Sequence, residues 1–330
     1  MTDDRPFHLG FLTHLAPQLP PRELLTAGID LFVAAEELGF DSGWVAQHHL
    51  GPLEGTLPSP FVLLGAVAAR TSRIRLGTAI VNLALDDPIR VAEDAAVLDA
   101  ISGGRVELGI GSGNPEPGVF AAFGKDVAAR RDLFTTGSAR LRAALQGEDL
   151  GGGLTLRPAA PGLAGRIWDS PLDPDRVRTA GAAGDGVLLG IGPASSAQLD
   201  LARAYRAAGG DRLAVVHSAF FGADRDQVAD RLWPIVSEQS LAYYQHAGWV
   251  GVDPAPAELL AAMNVHHGTV DDVVASIARE PVIDLASDLV LALEVRTSTP
   301  AEALAALETI ASEVAPRLGW HPAAAPAVTR

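Results

Sequence analysis

The clearest hydrophobic pattern in the chain runs from Arg73 to Gly113. It opens with an apolar run, Ile74–Ile80, whose length and composition are typical of a strand buried on both faces. Apolar residues then recur at helical spacing over Ile89–Ile101, after a proline that suits a first helical turn and before a Ser-Gly-Gly stop. A second apolar run, Val106–Ile110, leads into a glycine-rich turn. This order of strand, helix and strand predicts a βαβ unit, with small residues at the strand ends where such folds bind ligands.

The same alternation of short apolar runs with helical periods continues along the chain. We predict strands at Phe7–Leu12, Asp41–Ala46, Ile74–Ile80, Val106–Ile110, Arg166–Trp168, Val187–Leu189, Leu213–Phe221 and Leu285–Leu293. We predict helices at Arg22–Gly39, Phe61–Arg70, Ile89–Ile101, Ala128–Leu145, Pro174–Ala183, Ser195–Ala208, Gln227–Gln245, Ala255–Met263, Val270–Ala278 and Ala301–Val314. This alternation favours a (β/α)8 TIM barrel of the α/β class over an open doubly wound sheet, in a single domain over residues 1–330.

Two segments depart from the regular alternation. A glycine-rich insertion follows the fourth strand at Gly147–Gly165, and its short apolar piece, Leu154–Leu156, is compatible with a hairpin. Several helical segments in succession precede the eighth strand and form a helical excursion. Because barrel enzymes vary mainly in their connecting loops, neither departure argues against the barrel.

Composition and charge narrow the range of functions. The 330 residues are 48% hydrophobic and 20% charged, which is typical of a globular protein. A net charge of −15 argues against nucleic acid as a partner and offers no polybasic membrane anchor. The absence of cysteine excludes disulfides and thiol chemistry, and no stretch resembles a signal peptide or a transmembrane helix. We therefore expect a cytoplasmic protein that acts on a small molecule.

Two adjacent histidines, His48 and His49, follow the predicted second strand at the end where barrels carry their active sites. A lone histidine at such a position would most often have a structural role, in packing or in holding a loop. For two adjacent histidines, a role in acid–base chemistry is about as well supported as the structural role. His266 and His267 precede Gly268 and are interpreted as solvent-facing or lid residues. No spacing of His, Asp and Glu indicates a metal site, and nucleophile-elbow, P-loop and dinucleotide-binding motifs are missing.

Longer stretches of the first third resemble a known family. GFDSGWVAQHHL, followed by SPFVLLGAVAARTSRIRLGTAIVNLALDDPIRVAEDAAVLDAISGGRVELGIGSG, is similar to the luciferase-like monooxygenases. The likeness continues more weakly through AFGKDVAARRDLF and RIWDSPLDPDRVRTAGAAGDGVLLG. The resemblance implies a (β/α)8 barrel that binds FMN or a deazaflavin at its C-terminal face. It also implies the use of reduced flavin and oxygen on a small organic substrate, with a separate flavin reductase as partner.

Matched position by position, the resemblance implies a set of site residues. The first histidine of the family's Glu-His-His motif falls on His48, which would act as acid or base beside the flavin, and Gln47 stands where the Glu would be. Ala46 would lie against the flavin ring, and the family's non-proline cis peptide would fall at Ala79–Ile80. Gly111, at the end of the fourth strand, would border the cofactor.

The phosphate of the cofactor would lie near the ends of the fourth and fifth strands. Family members often carry an arginine where this chain has Ser112, so a charge is missing there. The family's phosphate-binding Ser pair falls on Leu172–Asp173, and Asp173 would repel a phosphate. Arg176 would offset that repulsion, and Ser170 would supply a hydroxyl. The alternative is that Asp173 simply caps the next helix.

Three further predictions rest on the resemblance, on the barrel fold or on the pattern of small residues. Gly190 and Ile191, after the sixth strand, would line the far side of the flavin, and Arg296, after the eighth, is a further phosphate candidate. Small apolar residues recur in the helices Phe61–Arg70 and Ile89–Ile101 and would allow two helices to approach closely. Together with the resemblance, they predict a homodimer packed through these helices.

Two classes of function remain open at this point. The first is a two-component flavin-dependent monooxygenase, or its deazaflavin-using relative. The second is a luciferase-like barrel with weakened flavin binding that carries flavin without catalysis. Gln47, Ser112 and Asp173 all favour weak binding. Since a two-component enzyme takes reduced FMN as a substrate, weak binding is compatible with catalysis, and we favour the enzyme.

Overall fold

A computed structural model describes residues 5–16, 18–50 and 55–323. Its strands are β1 (His8–Thr13), β2 (Ser42–Val45), β3 (Arg75–Thr78), β4 (Val81–Asn82), β5 (Val106–Gly111), β6 (Ile167–Asp169), β7 (Gly186–Leu189), β8 (Leu213–Phe221), β9 (Val265–Gly268) and β10 (Asp288–Ala292). Parallel pairing follows the order β10-β1-β2-β3-β5-β6-β7-β8, and β8 pairs with β10 to close the ring. The predicted (β/α)8 barrel is confirmed.

Helices cover the outside of this ring. They are α1 (Pro21–Leu38), α2 (Pro60–Ala68), α3 (Pro88–Ser102), α4 (Pro117–Ala122), α5 (Arg130–Leu145), α6 (Pro174–Ala183), α7 (Ser195–Ala207), α8 (Arg225–His246), α9 (Pro256–Ala262), α10 (Val270–Ile277) and α11 (Pro300–Thr309). Local sequence sets their ends: the Asp87 carboxylate accepts hydrogen bonds from Ile89 N and Arg90 N at the start of α3, and Gly103 takes a left-handed conformation at its end.

Two tryptophans fill the inside of the barrel. The rings of Trp44 on β2 and Trp168 on β6 meet edge to face with centroids 5.5 Å apart, and both are fully buried. Glycines on the neighbouring strands make room for them, because a Cβ at Gly77 would lie 2.1 Å from Trp44 and one at Gly186 would lie 2.4 Å from Trp168. The barrel centre is therefore solid, and a ligand has access only beyond the strand ends.

Ion pairs close the N-terminal end of the interior. Arg75, the first residue of β3, pairs with Asp288, the first residue of β10, at 2.6 Å. Trp168 Nε1 donates to Glu107 Oε2 at 2.6 Å, which satisfies the buried indole. Since this end is sealed by paired charges, the C-terminal end is left for a site.

The structure corrects the sequence-based description in two places. The segment from Val265 to Gly268 is strand β9, which pairs with Ser218–Phe221 of β8, whereas we expected helix-flanking loop. One edge of β8 pairs with β10. The other edge pairs first with β7 and then, from Ser218 onwards, with β9, so β9 extends the barrel wall beyond the end of β7. The insertion at Gly147–Gly165 contains turns and a 3-10 segment but no strand within its described residues, so the hairpin expected at Leu154–Leu156 was wrong.

Candidate functional site

A cavity opens at the C-terminal ends of β1, β2 and β3. Its walls include Ala46 and His48 after β2, Ala79 and Ile80 after β3, and His14 directly after β1. The cavity therefore brings together the sequence-predicted residues of the reactive end. The peptide bond between Ala79 and Ile80 is cis, as the resemblance implied.

Close backbone contacts surround the Ile80 side chain. Its Cδ1 and Cγ1 atoms would lie 2.9 Å from a Cβ at Gly111, and Thr78 O would lie 1.9 Å from a Cβ at Gly109. Only glycine fits at these two positions of β5 without displacing the Ala79–Ile80 segment. Gly111 is therefore placed to shape the cavity wall through Ile80.

His48 is oriented by both backbone and side-chain contacts. Its backbone N donates to Leu57 O at 2.9 Å, and its Nε2 lies 3.2 Å from Nδ1 of His14. Burial lowers the pKa of His48 to about 4, with the adjacent His49 adding to the effect. The imidazole is therefore neutral at physiological pH and can accept a proton.

His49 lies in a different environment from His48. Its ring packs edge to face on Phe123 with centroids 4.9 Å apart, and its Nε2 is buried without a hydrogen-bond partner among the described residues. Burial lowers its pKa below the ordinary value, against the opposing charge of Asp86. Both histidines line the cavity, but these contacts favour a packing role for His49.

Gln47 holds the loop and does not polarise His48. Its amide nitrogen donates to Asp86 Oδ2 at 2.9 Å and to Pro58 O at 3.1 Å, and its oxygen accepts from Asn82 N at 2.7 Å. A glutamate at this position would face the Asp86 carboxylate, so an amide is the electrostatically compatible residue here. Gln47, which stands in place of the family's Glu, can thus donate a hydrogen bond to Asp86, which a glutamate could not do.

A guanidinium lies beside Ser112 although position 112 carries no charge. Arg130, the first residue of α5, donates through Nη1 to Ser112 Oγ and to Gly113 O, both at 2.7 Å. No ion pair to Arg130 is found in the described part of the chain, and burial together with Arg131 and Arg176 lowers its pKa. An unneutralised, partly buried cation next to the cavity rim is the expected environment for an anionic ligand group.

The residues after β6 are already engaged within the protein. Asp173 accepts from Arg176 N at 3.0 Å and caps α6, which supports the capping interpretation. The Arg176 guanidinium pairs with Asp169 at 2.5 Å and lies over the Phe134 ring, 4.2 Å from its centroid. Ser170 Oγ donates to Leu188 O at 3.0 Å. Arg176 and Ser170 therefore hold the strand ends, and Arg130 is the better-placed cation.

The loop after β7, which contains Gly190 and Ile191, is held by buried polar groups. Gln198 Nε2 donates to Gly190 O at 2.8 Å, while Tyr244 Oη at 3.2 Å and Asn264 Nδ2 at 3.3 Å both donate to Ile191 O. The carbonyls of this loop are thus bonded within the protein. Neither Gly190 nor Ile191 lines the cavity beside His48, so their contact with a flavin stays a prediction.

Behind that loop runs a buried chain of hydrogen bonds. Gln198 Oε1 accepts from His217 Nε2, His217 Nδ1 contacts His266 Nε2, and His266 Nδ1 contacts Ser276 Oγ, each at 2.8 Å. His266 and His267 are 2% and 1% exposed, so the prediction that they face solvent or a lid was wrong. Since Gln198 uses its nitrogen for Gly190, its oxygen accepts, and this fixes the direction of the chain.

Two further expectations concern charged ligands and metals. Arg296, considered as a phosphate partner, pairs with Glu238 on α8. No group of three or more His, Asp or Glu side chains suited to a metal ion occurs among residues 5–16, 18–50 and 55–323. None of the helices in those ranges combines the length and apolarity needed to cross a membrane.

Comparison with known proteins places the chain in a family. The family model described as luciferase-like monooxygenase matches residues 6–312. The chain belongs to the luciferase-like monooxygenase family.

Among curated members of the luciferase-like monooxygenase family, the alkanal monooxygenase alpha chain of the Kryptophanaron alfredi symbiont is 34% identical over 125 residues, 38% of this chain and 34% of the relative. The F420-dependent glucose-6-phosphate dehydrogenase of Kineococcus radiotolerans is 38% identical over 115 residues, 34% of this chain and 33% of the relative. The chain thus matches these relatives over about a third of their length.

A solved structure shares the fold along almost the whole chain. The oxygenating constituent of the 3,6-diketocamphane monooxygenase of Pseudomonas putida, solved with FMN, aligns with a TM-score of 0.74 and 23% identity. The alignment covers 94% of this chain and 98% of that one. At this identity, the likeness shows that both chains form the same luciferase-like barrel.

Two residues at or beside this cavity were not predicted from the sequence. His14 directly follows β1, so its position at a barrel strand end was available as a signal, although it stood alone beside a Pro-rich loop. Arg130 lies 18 residues beyond Ser112, on a helix that follows an irregular loop. Only the folded chain shows that its guanidinium returns to the strand end.

Proposed function

We propose that the protein is a two-component flavin-dependent monooxygenase that uses reduced FMN and oxygen on a small organic substrate. The observation that carries the proposal is that Ala46, His48, Ala79 and Ile80 all line one cavity. Family membership supports oxidoreductase chemistry at this mouth. The separate flavin reductase is part of the proposal.

The residues present fit a flavin mononucleotide. Ala46, Ala79 and Ile80 offer a small apolar surface suited to one face of a planar ring system. Arg130, held at Ser112 and Gly113, offers the charge that a phosphate requires. These residues would hold the ring and the phosphate, respectively. When bound, reduced flavin would supply the electrons for activation of oxygen.

His48 has the chemical properties of a proton acceptor in this cavity. Its ring is neutral at pH 7, because burial lowers its pKa to about 4. Its Nδ1 has no hydrogen-bond partner among the described residues, and its side chain lines the cavity. His48 would therefore accept or return a proton at Nδ1 on the substrate side, while Ile80 and Ala79 exclude water from the opposite wall.

A second candidate is a deazaflavin-dependent oxidoreductase. The observation that favours it is the 38% identity to an F420-dependent glucose-6-phosphate dehydrogenase, which covers about the same length as the match to the alkanal monooxygenase. The phosphate-binding geometry at Arg130 suits either cofactor. The two candidates differ in oxygen use, because the monooxygenase consumes oxygen and the deazaflavin enzyme transfers hydride.

Titration of the protein with oxidised FMN, reduced FMN and F420, followed by absorbance, separates these candidates. We expect tight binding of reduced FMN, weaker binding of oxidised FMN, and oxygen uptake when a reductase and a panel of aldehydes and ketones are supplied. Preferential binding of F420 without oxygen uptake would favour the second candidate. Binding of FMN without turnover across the panel would favour the non-catalytic flavin carrier.

We also propose a homodimer packed through α2 and α3. The two helices present the exposed apolar side chains Val62, Val97 and Ile101, which are 76%, 46% and 61% exposed in the single chain. These side chains border one groove between the helices. Asp86, Asp87, Arg90 and Asp94 line the same groove, so the proposed interface combines exposed apolar side chains with charged ones, as protein interfaces do.

A further inference from the structure

The cavity contains a second imidazole that the proposed function does not use. His14 Nδ1 lies 3.2 Å from His48 Nε2, a distance at which one nitrogen donates a hydrogen to the other. The ring centroids are 5.4 Å apart and the planes are tilted by 42°. Both rings line the same cavity, and each belongs to the segment that directly follows a barrel strand.

Gly55 covers one side of the contact between the two rings. Gly55 approaches it so closely that a Cβ there would lie 2.3 Å from His48 Cδ2, 2.8 Å from His48 Nε2 and 2.7 Å from His14 O. The nitrogen–nitrogen contact is therefore covered on this side. The outer nitrogens differ: His14 Nε2 and His48 Nδ1 make no hydrogen bond to the described residues, and both side chains are partly exposed at the cavity.

Protonation of this pair as a cation is unfavourable. Burial lowers the pKa of His14 to about 3, with His48 adding to the effect, and lowers that of His48 to about 4. The other titratable groups around the pair are His49 and Glu116 on the cavity wall, Asp86 bonded to Gln47, and Glu294 bonded to Thr13. None of these carboxylates is hydrogen bonded to either ring in the described residues, so no counterion stabilises an imidazolium.

We propose that His14 and His48 form a two-imidazole proton relay between the substrate and solvent. The inference rests on the proposed function, in which His48 meets the substrate. Two neutral rings in contact hold two N–H bonds, one in the contact and one on an outer nitrogen. The relay moves a proton from one outer nitrogen to the other without leaving a charge on either ring.

The step balances when the pair acts as a base. The substrate's bond to hydrogen breaks and an N–H bond forms at His48 Nδ1. The N–H bond at His48 Nε2 breaks and one forms at His14 Nδ1. The N–H bond at His14 Nε2 breaks, and that proton passes to solvent water as hydronium. Both rings are neutral before and after, and the reverse sequence returns a proton to the substrate.

A relay and a merely positioning contact make different predictions for His14→Asn. The asparagine amide can still hydrogen bond to His48 Nε2, so a positioning role would survive, but it has no second nitrogen to pass a proton on. We expect kcat to fall by about ten- to a hundredfold in His14→Asn and His14→Phe alike, with flavin affinity retained. Wild-type turnover in mixtures of H2O and D2O should depend non-linearly on deuterium content, and the His14→Asn variant linearly.

Histidine-specific 15N NMR tests the pair without any turnover. We expect scalar coupling across the hydrogen bond between His14 Nδ1 and His48 Nε2, and neutral shifts for both rings between pH 6 and 8. His246→Asn, on the exposed end of α8, is the matched control for all measurements. Missing coupling, a ring that titrates at its ordinary value, or wild-type turnover in His14→Asn would overturn the relay. Intact coupling in a protein without turnover would instead count against the proposed function.

Discussion

Arg130 Nη1 donates to Ser112 Oγ at 2.7 Å, across 18 residues of sequence. The relationship compensates for a missing charge, because α5 brings a guanidinium to a strand end that carries only a hydroxyl. Ser112 orients that guanidinium and Gly113 O accepts from the same nitrogen, so the cation is held in place before any ligand arrives. A phosphate would gain its charge without the entropy cost of ordering a free arginine.

Arg130→Ala is therefore expected to weaken FMN binding. Loss of a hydrogen bond to a charged group corresponds to about 1.5–3 kcal/mol, or roughly ten- to a hundredfold in Kd. Riboflavin, which lacks the phosphate, should bind the variant and the wild type equally. Fluorescence titration measures both, and Arg140→Ala on the exposed face of α5 is the control. Equal losses for FMN and riboflavin would contradict a phosphate contact.

His48→Ala is expected to slow turnover by about a hundred- to ten-thousandfold while flavin affinity stays within a few-fold. His49→Ala should act through lost packing on Phe123, with a lower melting temperature and a much smaller effect on kcat. Because a base is inactivated as the pH falls through its pKa, and that of His48 is about 4, activity should persist at pH 5. Steady-state assays with a reductase measure kcat for both variants and its dependence on pH. A fall in kcat as the pH drops through 6.5 would argue against His48 as the base.

Buried histidines should make the fold sensitive to acid. Burial lowers the pKa of His266 to about 3 and that of His217 well below its ordinary value. Below pH 6.5 the unfolded chain takes up protons on these rings and the folded chain does not, so stability is lost as the pH falls. We expect about 1–2 kcal/mol per buried imidazole between pH 7 and 5.

Urea unfolding at several pH values tests this acid sensitivity. The double variant His217→Leu/His266→Leu should show a weaker pH dependence than the wild type, whatever its absolute stability at pH 7. His246→Asn should keep the wild-type slope, because this exposed side chain gains no burial on folding. Parallel pH profiles for the double variant and the wild type would exclude the buried pair as the cause.

Ile101→Glu is expected to convert a dimer into a monomer. The side chain is 61% exposed in the single chain, at the groove between α2 and α3, and a carboxylate buried in an interface without a partner costs several kcal/mol. Sedimentation velocity at micromolar concentration measures the change. Leu154→Glu, at a side chain 69% exposed in the insertion, should leave the dimer intact. A monomeric wild type would refute the proposed interface.

Local patterning was sufficient for the barrel and for placing His48 and His49 after a strand, whereas the other residues predicted for the reactive end came from the resemblance to the family. Buried strands such as Leu213–Phe221 are apolar runs between turn signals, and the segment around His48 follows such a run directly. Strand β9 was missed because His266 and His267 look polar beside a glycine. The buried ring of His266 is hydrogen bonded to His217 and Ser276, which belong to other elements, and such non-local hydrogen bonding leaves no periodic signal.

The segment between β8 and β9, which carries α8 and α9, begins and ends next to each other at the barrel, and this has a consequence for how it can vary among relatives. Gly222 N donates to Gly268 O at 2.9 Å, so the segment that carries α8 and α9 leaves the barrel and rejoins it at one point. Its ends stay fixed whatever lies between them, and doubling such a loop costs only about 0.6 kcal/mol in closure entropy. Tyr244 and Asn264 connect it to Ile191 at the barrel mouth. A chimaera that exchanges this segment between relatives would therefore test whether it contributes to substrate preference on an unchanged barrel.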